Sequence, residues 1–273
     1  VKAAYDDSGI KNYWTSQAVR HGPAASASWA DARAIDLEKR ALLPYLQDGA
    51  RVLDIGCSNG HATLTYAALK DIDILGMDYV PEMIEAAREN HRAMARSLRG
   101  KAAFEVGDVR SLSLADAVFD TVITTRVIIN LQNWEAQRQG IRECLRALRP
   151  GGVALLSEAT RQGHENLNRL RAELGLPPLK TPDFNLYLDI EQVAAEPWED
   201  VDEVEIVDFS STYYLMTRAL KPILEKLPGA LVKAVDPASE VNRLAAMLPA
   251  WGDYGVQKLF VLRKRNHGGR HGA

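Results

Sequence analysis

The chain has 273 residues, 47% apolar and 25% charged, with a formal net charge of −3. That balance supports a sizeable core and excludes a disordered polar chain, and the near-neutral charge gives no global footprint for nucleic acid. No apolar run approaches the ~20 residues that span a bilayer, and the first residues lack the charged-then-apolar pattern of a secretory leader. The two cysteines, Cys57 and Cys144, fall in expected core elements, which predicts free thiols and a reducing, cytoplasmic setting. Cys and His form no cluster with ligand spacing, so no metal is expected.

In chain order, residues 1–34 are a polar segment with Tyr5, Tyr13, Trp14 and Trp29, read as an N-terminal cap. A helix is predicted over 32–46. Strand signals follow at 51–55, 72–77, 102–106, 119–124 and 152–158, alternating with helix signals at 60–70, 81–97 and 133–148, the last capped by Asn133. Such βα alternation predicts a mostly parallel sheet with helices on both faces, wound by right-handed crossovers. After Glu158 the alternation stops. Residues 159–200 are rich in proline yet carry Leu167, Leu170, Leu174, Phe184, Leu186 and Tyr187, which favours an ordered lid over a linker. A strand is predicted over 204–209. A helical stretch, broken at Pro222 and Pro228, runs to 248, and a last strand covers 256–262. The domain thus spans 35–265, with residues 266–273 a basic, glycine-rich tail.

The most informative segment is Val52-Leu53-Asp54-Ile55-Gly56-Cys57-Ser58-Asn59-Gly60. An apolar strand enters a glycine turn and then a helix, the arrangement by which open α/β sheets bind nucleotides. Gly56 and Gly60 lack a Cβ, so backbone can approach a ligand there. The second strand ends in Asp78, and an acid about 20 positions past such a turn suits both ribose hydroxyls. A nicotinamide dehydrogenase fits poorly. The third glycine of G-x-G-x-x-G is missing, and Asp54 would repel a pyrophosphate. A cationic ligand group suits Asp54 better.

These residues resemble the class I S-adenosylmethionine (SAM)-dependent methyltransferase family, small-molecule type. Its first motif, an acid followed by G-x-G-x-G, appears here as Asp54-Ile55-Gly56-Cys57-Ser58-Asn59-Gly60, with Ser58 in place of the middle glycine. Asp78, Gly107-Asp108-Val109, Phe119-Asp120-Thr121-Val122-Ile123 and Leu148-Arg149-Pro150-Gly151-Gly152 match the later motifs in order, over roughly 51–158. The resemblance implies a Rossmann-like, doubly wound α/β fold. Its seven-stranded sheet is mostly parallel, with an antiparallel last strand inserted between the fifth and sixth. It implies SAM as cofactor and S-adenosyl-L-homocysteine as product. It places Gly56, Cys57, Ser58 and Gly60 against the methionine part and Asp54 on the ammonium. Asp78 falls on the ribose, Tyr79 or Met83 beside the adenine, and Asp108 with Val109 at the adenine amino group. Thr125 and Arg126 face the sulfonium or the carboxylate, and Arg126 pairs with that carboxylate, with an acidic acceptor, or in a surface salt bridge.

A sulfonium methyl arrives activated, so the protein supplies mainly proximity and alignment. A hydroxyl acceptor also needs a general base. Glu158, at the end of the fifth strand, and His164, just beyond it, are the candidates; Glu158 is read alternatively as holding a substrate amine. Cys57 reads as a small buried residue, and His61 as a helix start beside the cofactor turn. Phe184, Asn185, Tyr187, Tyr213 and Tyr214 are candidates for an acceptor pocket. The segment 125–131 with Trp134, and Tyr213-Tyr214, loosely resemble methyltransferases of surface-glycan and natural-product pathways. The expected function is therefore methyl transfer to a small-molecule hydroxyl, of a sugar or other metabolite. The alternatives are N- or C-methylation and a non-catalytic SAM-binding protein. The expected partner is a small-molecule substrate, with no nucleic acid and no membrane span.

Overall fold

The computed structural model describes residues 7–24, 29–228, 233 and 236–266; Tyr5, His267, His271 and the rest of the tail lie outside them. Among the described residues the strands are β1 (Arg51–Ile55), β2 (Asp73–Asp78), β3 (Lys101–Val106), β4 (Phe119–Thr125), β5 (Leu148–Ala159), β6 (Val201–Val207) and β7 (Gln257–Lys264). They form one seven-stranded sheet in the order β3-β2-β1-β4-β5-β7-β6. Strands β1 to β5 are parallel, and β7 runs antiparallel between β5 and β6. This is the expected doubly wound architecture.

Alternate strand residues face opposite sides of a sheet, and both sides here are covered. Leu53, Ile55, Val122, Leu156, Phe260 and Leu262 face one core together with Ile141, Cys144 and Leu145 of helix α5 (Trp134–Ala147). Val52, Ile123, Leu155, Leu259 and Val261 face the other, with Leu42 of α2 (Ala32–Leu42) and Tyr66 of α3 (His61–Leu69). Near-continuous apolar runs such as Val122-Ile123 are the signature of strands buried on both faces. The N-terminal helix α1 (Asp7–His21) packs by Ala18 and Trp14 on Val80 and Met83, where α4 (Pro81–Met94) begins.

Three local expectations are corrected. The Leu148–Gly152 turn is an irregularity within β5, which starts at Leu148 and not at 152. The pairing jumps from Phe119↔Leu148 to Thr121↔Val153, and Gly151 takes the excursion at φ 78°. Pro222 does not break its helix. Helix α8 (Ser211–Tyr214) continues through a π-helical turn (Leu215–Leu220) into α9 (Lys221–Glu225). A proline lacks its N–H and crowds the carbonyl four residues back, and the wider π turn just upstream accommodates both. The insertion after β5 is more than a loop. It begins as α6 (Arg161–Glu173), capped by Thr160 and anchored by the fully buried Leu167, and it includes α7 (Ile190–Ala195). A last short helix, α10 (Glu240–Ala245), packs against the π-helical turn.

Candidate active site

The sheet order reverses between β1 and β4, where the chain crosses from winding outward through β2 and β3 to winding through β5. Loops leaving the strand ends diverge at such a switch point and open a crevice. A cavity of about 490 Å³ lies there, within the size range of small-molecule sites. Of the expected residues, Gly56, Ser58, Asp78, Tyr79, Met83, Asp108, Val109, Thr125, Arg126 and His164 line it. Residues far apart in sequence are thereby joined on one surface.

The β1 turn is built for close approach. The Gly56 and Cys57 amides both donate to the Met77 carbonyl, at 2.6 and 3.0 Å, clamping the turn to the end of β2. Gly56 has φ 71°, and a Cβ there would lie 2.1 Å from Val127 Cγ2. Ser58 adopts φ 51°, the left-handed conformation that the glycine it replaces would take more readily. Its amide donates to Asp78 Oδ2 at 3.0 Å, and the Val80 amide donates to Oδ1 at 2.9 Å. Burial pushes the Asp78 carboxyl up to about 6 while these amide hydrogen bonds pull it down. The Tyr79 amide adds to this set, and the carboxylate still faces the cavity as an acceptor.

Four expected site residues stand behind the wall. Asp54 is buried and accepts from Thr63 Oγ1 at 2.6 Å; burial raises its carboxyl to about 7. Cys57 lies beneath Gly76, its thiol driven far up by burial and so inert. Gly60 caps α3 at φ 74°, where a Cβ would meet the Phe104 ring at 2.8 Å. Glu158, read from sequence as a base, is fully buried. Its Oε1 accepts from Thr124 Oγ1 (2.9 Å) and the Val127 and Ile128 amides (3.0 and 3.1 Å), and its Oε2 from the Ile129 amide (3.3 Å). It therefore fixes the loop after β4, whose residues Val127 and Ile129 wall the cavity.

His164 faces the cavity from α6. Its Nε2 lies 3.0 Å from the Leu179 carbonyl, which can only accept, and 3.3 Å from the Asn168 amide nitrogen; the Leu179 contact favours the tautomer with the proton on Nε2 and a basic Nδ1. Burial lowers its pKa, while the Leu179 contact works against the shift. Asp108 is engaged by its neighbour. Arg110 gives its backbone N–H and its guanidinium to the carboxylate, at 2.9 and 2.6 Å. Burial notwithstanding, these bonds hold Asp108 below the usual carboxylate range. His61 is not on the wall; it sits on the outer face near Lys39, at 3.5 Å.

Of the acceptor-pocket candidates, Phe184, Asn185, Tyr187 and Tyr214 line the wall, whereas Leu179, Lys180, Pro182, Arg218, Val256 and Gln257 reach it without a sequence signal. Phe184 meets Tyr13 and Trp14 of α1 at ring-centroid distances of 4.6 and 6.0 Å. Asn59, inside the glycine turn, holds the N-terminal segment by donating to the Gly22 and Ala24 carbonyls. Tyr213, expected at the pocket, is instead buried, its hydroxyl donating to Asp31 at 2.6 Å.

A glycine turn after β1 without room for a Cβ and an acid at the end of β2 line a cradle that fits SAM, with Asp54 held behind it. Residues 52–152 match the family model described as a methyltransferase domain. Together with the observed sheet order, this match supports a methyltransferase domain of the class I, SAM-dependent type, with SAM as its cofactor.

Among its relatives is the 27-O-demethylrifamycin SV methyltransferase of Amycolatopsis mediterranei (strain S699), 33% identical over 43% of this chain and 41% of the relative. The demethylmenaquinone methyltransferase of Deinococcus radiodurans is 34% identical over 40% of this chain and 42% of its own. Phosphoethanolamine N-methyltransferase 3 of Arabidopsis thaliana is 29% identical over 52% and 25%. The matches thus span less than half of each relative's length. Among solved structures, a Haloferax volcanii methyltransferase in complex with the Trm112 activator aligns over 96% of this chain and all of that one, with 18% identity and a TM-score of 0.57. The [4+2]-cyclase SpnF aligns over 86% and 83%, with 22% identity and a TM-score of 0.55. At these identities the structural matches concern the fold alone.

Proposed function

We propose that this chain transfers the methyl group of SAM to a hydroxyl of a small metabolite with a largely apolar body. The observation that carries this is a single cavity lined at one end by Gly56, Ser58 and Asp78 and elsewhere by His164 amid Tyr13, Trp14, Trp29, Phe184 and Tyr187. The aromatic lining favours an apolar metabolite over a free sugar. SAM supplies an electrophilic methyl group on a sulfonium. Asp78 accepts from ribose hydroxyls, and the 56–60 turn gives the methionine part a surface without side-chain obstruction. The aromatic side chains exclude water from the reacting centre. His164 takes the acceptor's proton on Nδ1, and burial keeps its ring neutral and competent near pH 7. Glu158 positions the 127–129 loop and touches no substrate.

The SpnF likeness means that the fold alone does not set the reaction; methyl transfer rests on the relatives, which are named as methyltransferases. Their names span rifamycin, menaquinone and phosphoethanolamine chemistry, so the acceptor follows from this cavity and not from theirs. Calorimetry with S-adenosyl-L-homocysteine, and mass spectrometry of reactions with SAM and a panel of hydroxylated metabolites, test the reading. Binding plus a gain of one methyl on oxygen is expected. Binding of NAD in place of S-adenosyl-L-homocysteine, or cofactor binding with no transfer to any acceptor, would overturn it.

A further inference from the structure

We infer that the acceptor carries an anionic group, a carboxylate, that docks on Arg126 and Arg218. The inference rests on the methyl-transfer reading and narrows its substrate class. Arg126 is the unexpected feature of the wall. Its side chain is 18% exposed, and among the described residues its guanidinium makes no hydrogen bond. Its nearest carboxylate oxygen, Glu38 Oε1, stands 3.4 Å from Nε, and the ring of Trp29 lies 4.7 Å from its central carbon. A guanidinium offers five donors in a fixed fork that matches a carboxylate. Nε faces the Glu38 carboxylate in an ion pair, and leaving the remaining donors unused at a half-dry cavity wall is costly unless a ligand acceptor takes them. The residue is also held at φ 57°, an uncommon conformation for a side chain of this size, with its amide bonded to the Ser157 carbonyl at 2.8 Å.

Arg218 approaches from the π-helical turn and lines the same cavity. Asp31 Oδ2 holds it from behind at 2.7 Å. Tyr214 lies within the field of both guanidiniums and donates to Gln257 Oε1 at 3.3 Å. The two carboxylates that stand behind these arginines, Asp31 and Glu38, both belong to α2 or its cap, and neither reaches the cavity. Asp31 is shared with the Tyr213 hydroxyl and the Ala34 amide. Glu38 is fully buried, which drives its carboxyl up towards the neutral form despite Arg126. The guanidiniums, and not their carboxylate partners, are therefore what this part of the wall presents to the cavity. Arg218 and Gln257 belong to the β6–β7 part of the chain, whereas the glycine turn and Asp78 follow β1 and β2. Arg126 follows β4, where its neighbour Val127 packs against Gly56, so it is Arg218 that draws the anion site away from the cofactor turn and towards the acceptor.

The test compares 4-hydroxybenzoate and 4-hydroxycinnamate with their primary amides by calorimetry, with and without S-adenosyl-L-homocysteine. The acids should bind at least about tenfold more tightly than the amides, the expected scale for hydrogen bonds to a charged group. Arg126→Gln and Arg218→Gln should erase the preference, and Arg126→Lys should retain part of it; thermal melting checks each variant's fold. Equal binding of acids and amides to the unmodified protein, or no binding of either acid, overturns the inference without reference to any variant. A variant that weakens S-adenosyl-L-homocysteine but not 5′-methylthioadenosine, which lacks the carboxylate, assigns the arginine to the cofactor and also overturns it. Failure of S-adenosyl-L-homocysteine to bind the unmodified protein defeats the methyl-transfer reading instead, while the acid–amide comparison still stands.

Discussion

Asp78 shows how one side chain joins fold to site. Amide hydrogen bonds fix its carboxylate, among them one from the left-handed Ser58 and one from Val80. Asp78→Ala should weaken S-adenosyl-L-homocysteine binding by about tenfold to a hundredfold and leave the fold intact. The carboxyl titrates at about 6, and the ionised form is the better acceptor for hydroxyls. Affinity should therefore hold steady above pH 7 and fall as pH drops through about 6, and Asp78→Asn should lose that part of the pH dependence. His164 has the opposite charge logic. Burial lowers its pKa, so turnover should rise with pH through a value below the usual ~6.5 and then level off. His164→Ala should cost about 10²–10⁴-fold in kcat with little change in cofactor affinity; a loss under about threefold would assign the proton elsewhere. Glu158→Gln separates scaffold from base. A glutamine turns an N–H₂ towards backbone amides that now find an acceptor, which should cost about 1–3 kcal/mol of stability. Unchanged melting together with loss of the acid limb of the rate profile would restore Glu158 as the base.

At the level of elements, the insertion after β5 divides into an anchored part and a free tip. Helix α6 is fixed by Leu167 and by Arg171, whose guanidinium donates to the Pro177 carbonyl at 2.9 Å. Asn168 and His164 hold Leu179, while Leu186 bonds to the Ile129 carbonyl at 2.7 Å and Leu188 to that of Ala159 at 3.0 Å. Between these anchors, residues 180–185 carry Phe184 against Tyr13 and Trp14. The sequence pattern predicts a lid over the whole of 159–200; with α6 anchored, any such movement is expected in this tip. Hydrogen exchange should slow over 180–185 when S-adenosyl-L-homocysteine and acceptor are added together, with α6 little changed. Closure of such a segment excludes water around a reacting group. Equal exchange in both states would make the tip a fixed wall.

For the whole molecule, the buried carboxylates beneath the sheet's switch point couple stability to pH. Burial raises Asp54 to about 7, well above its ordinary value of 3.8. The folded chain then binds more protons at this site than the unfolded chain between about pH 4 and 7. Stability from this residue is accordingly present at low pH and lost as pH rises through that window. Asp54→Asn removes the titration, so its stability relative to the unmodified protein should increase from pH 5 to about pH 7 and then level off, as read by chemical denaturation. A constant difference would mean that Asp54 keeps an ordinary pKa in the folded chain.

What the sequence determined by itself was whatever is written locally. Apolar strands run into breakers, Gly56 and Gly60 mark a turn, acids stand at strand ends, and βα alternation sets a parallel sheet. These identified the α/β class and its mostly parallel sheet, while the strand order and most of the residues at the β1, β2 and β4 end of the cavity came from the resemblance that the motifs carry. Sequence spacing could not tell Glu158 from a base, because its role depends on three amides and a hydroxyl brought to it by β4. It likewise hid the π turn that carries the helix past Pro222. The acceptor wall lay furthest from view. Arg218 and Asp31 are 187 positions apart, and Gln257 and Glu38 are 219 apart. No periodicity or motif links such residues. Only packing of α2 against the C-terminal strand and the π-helical turn sets these charges beside Arg126, because burial leaves polar groups no partners except one another and the ligand.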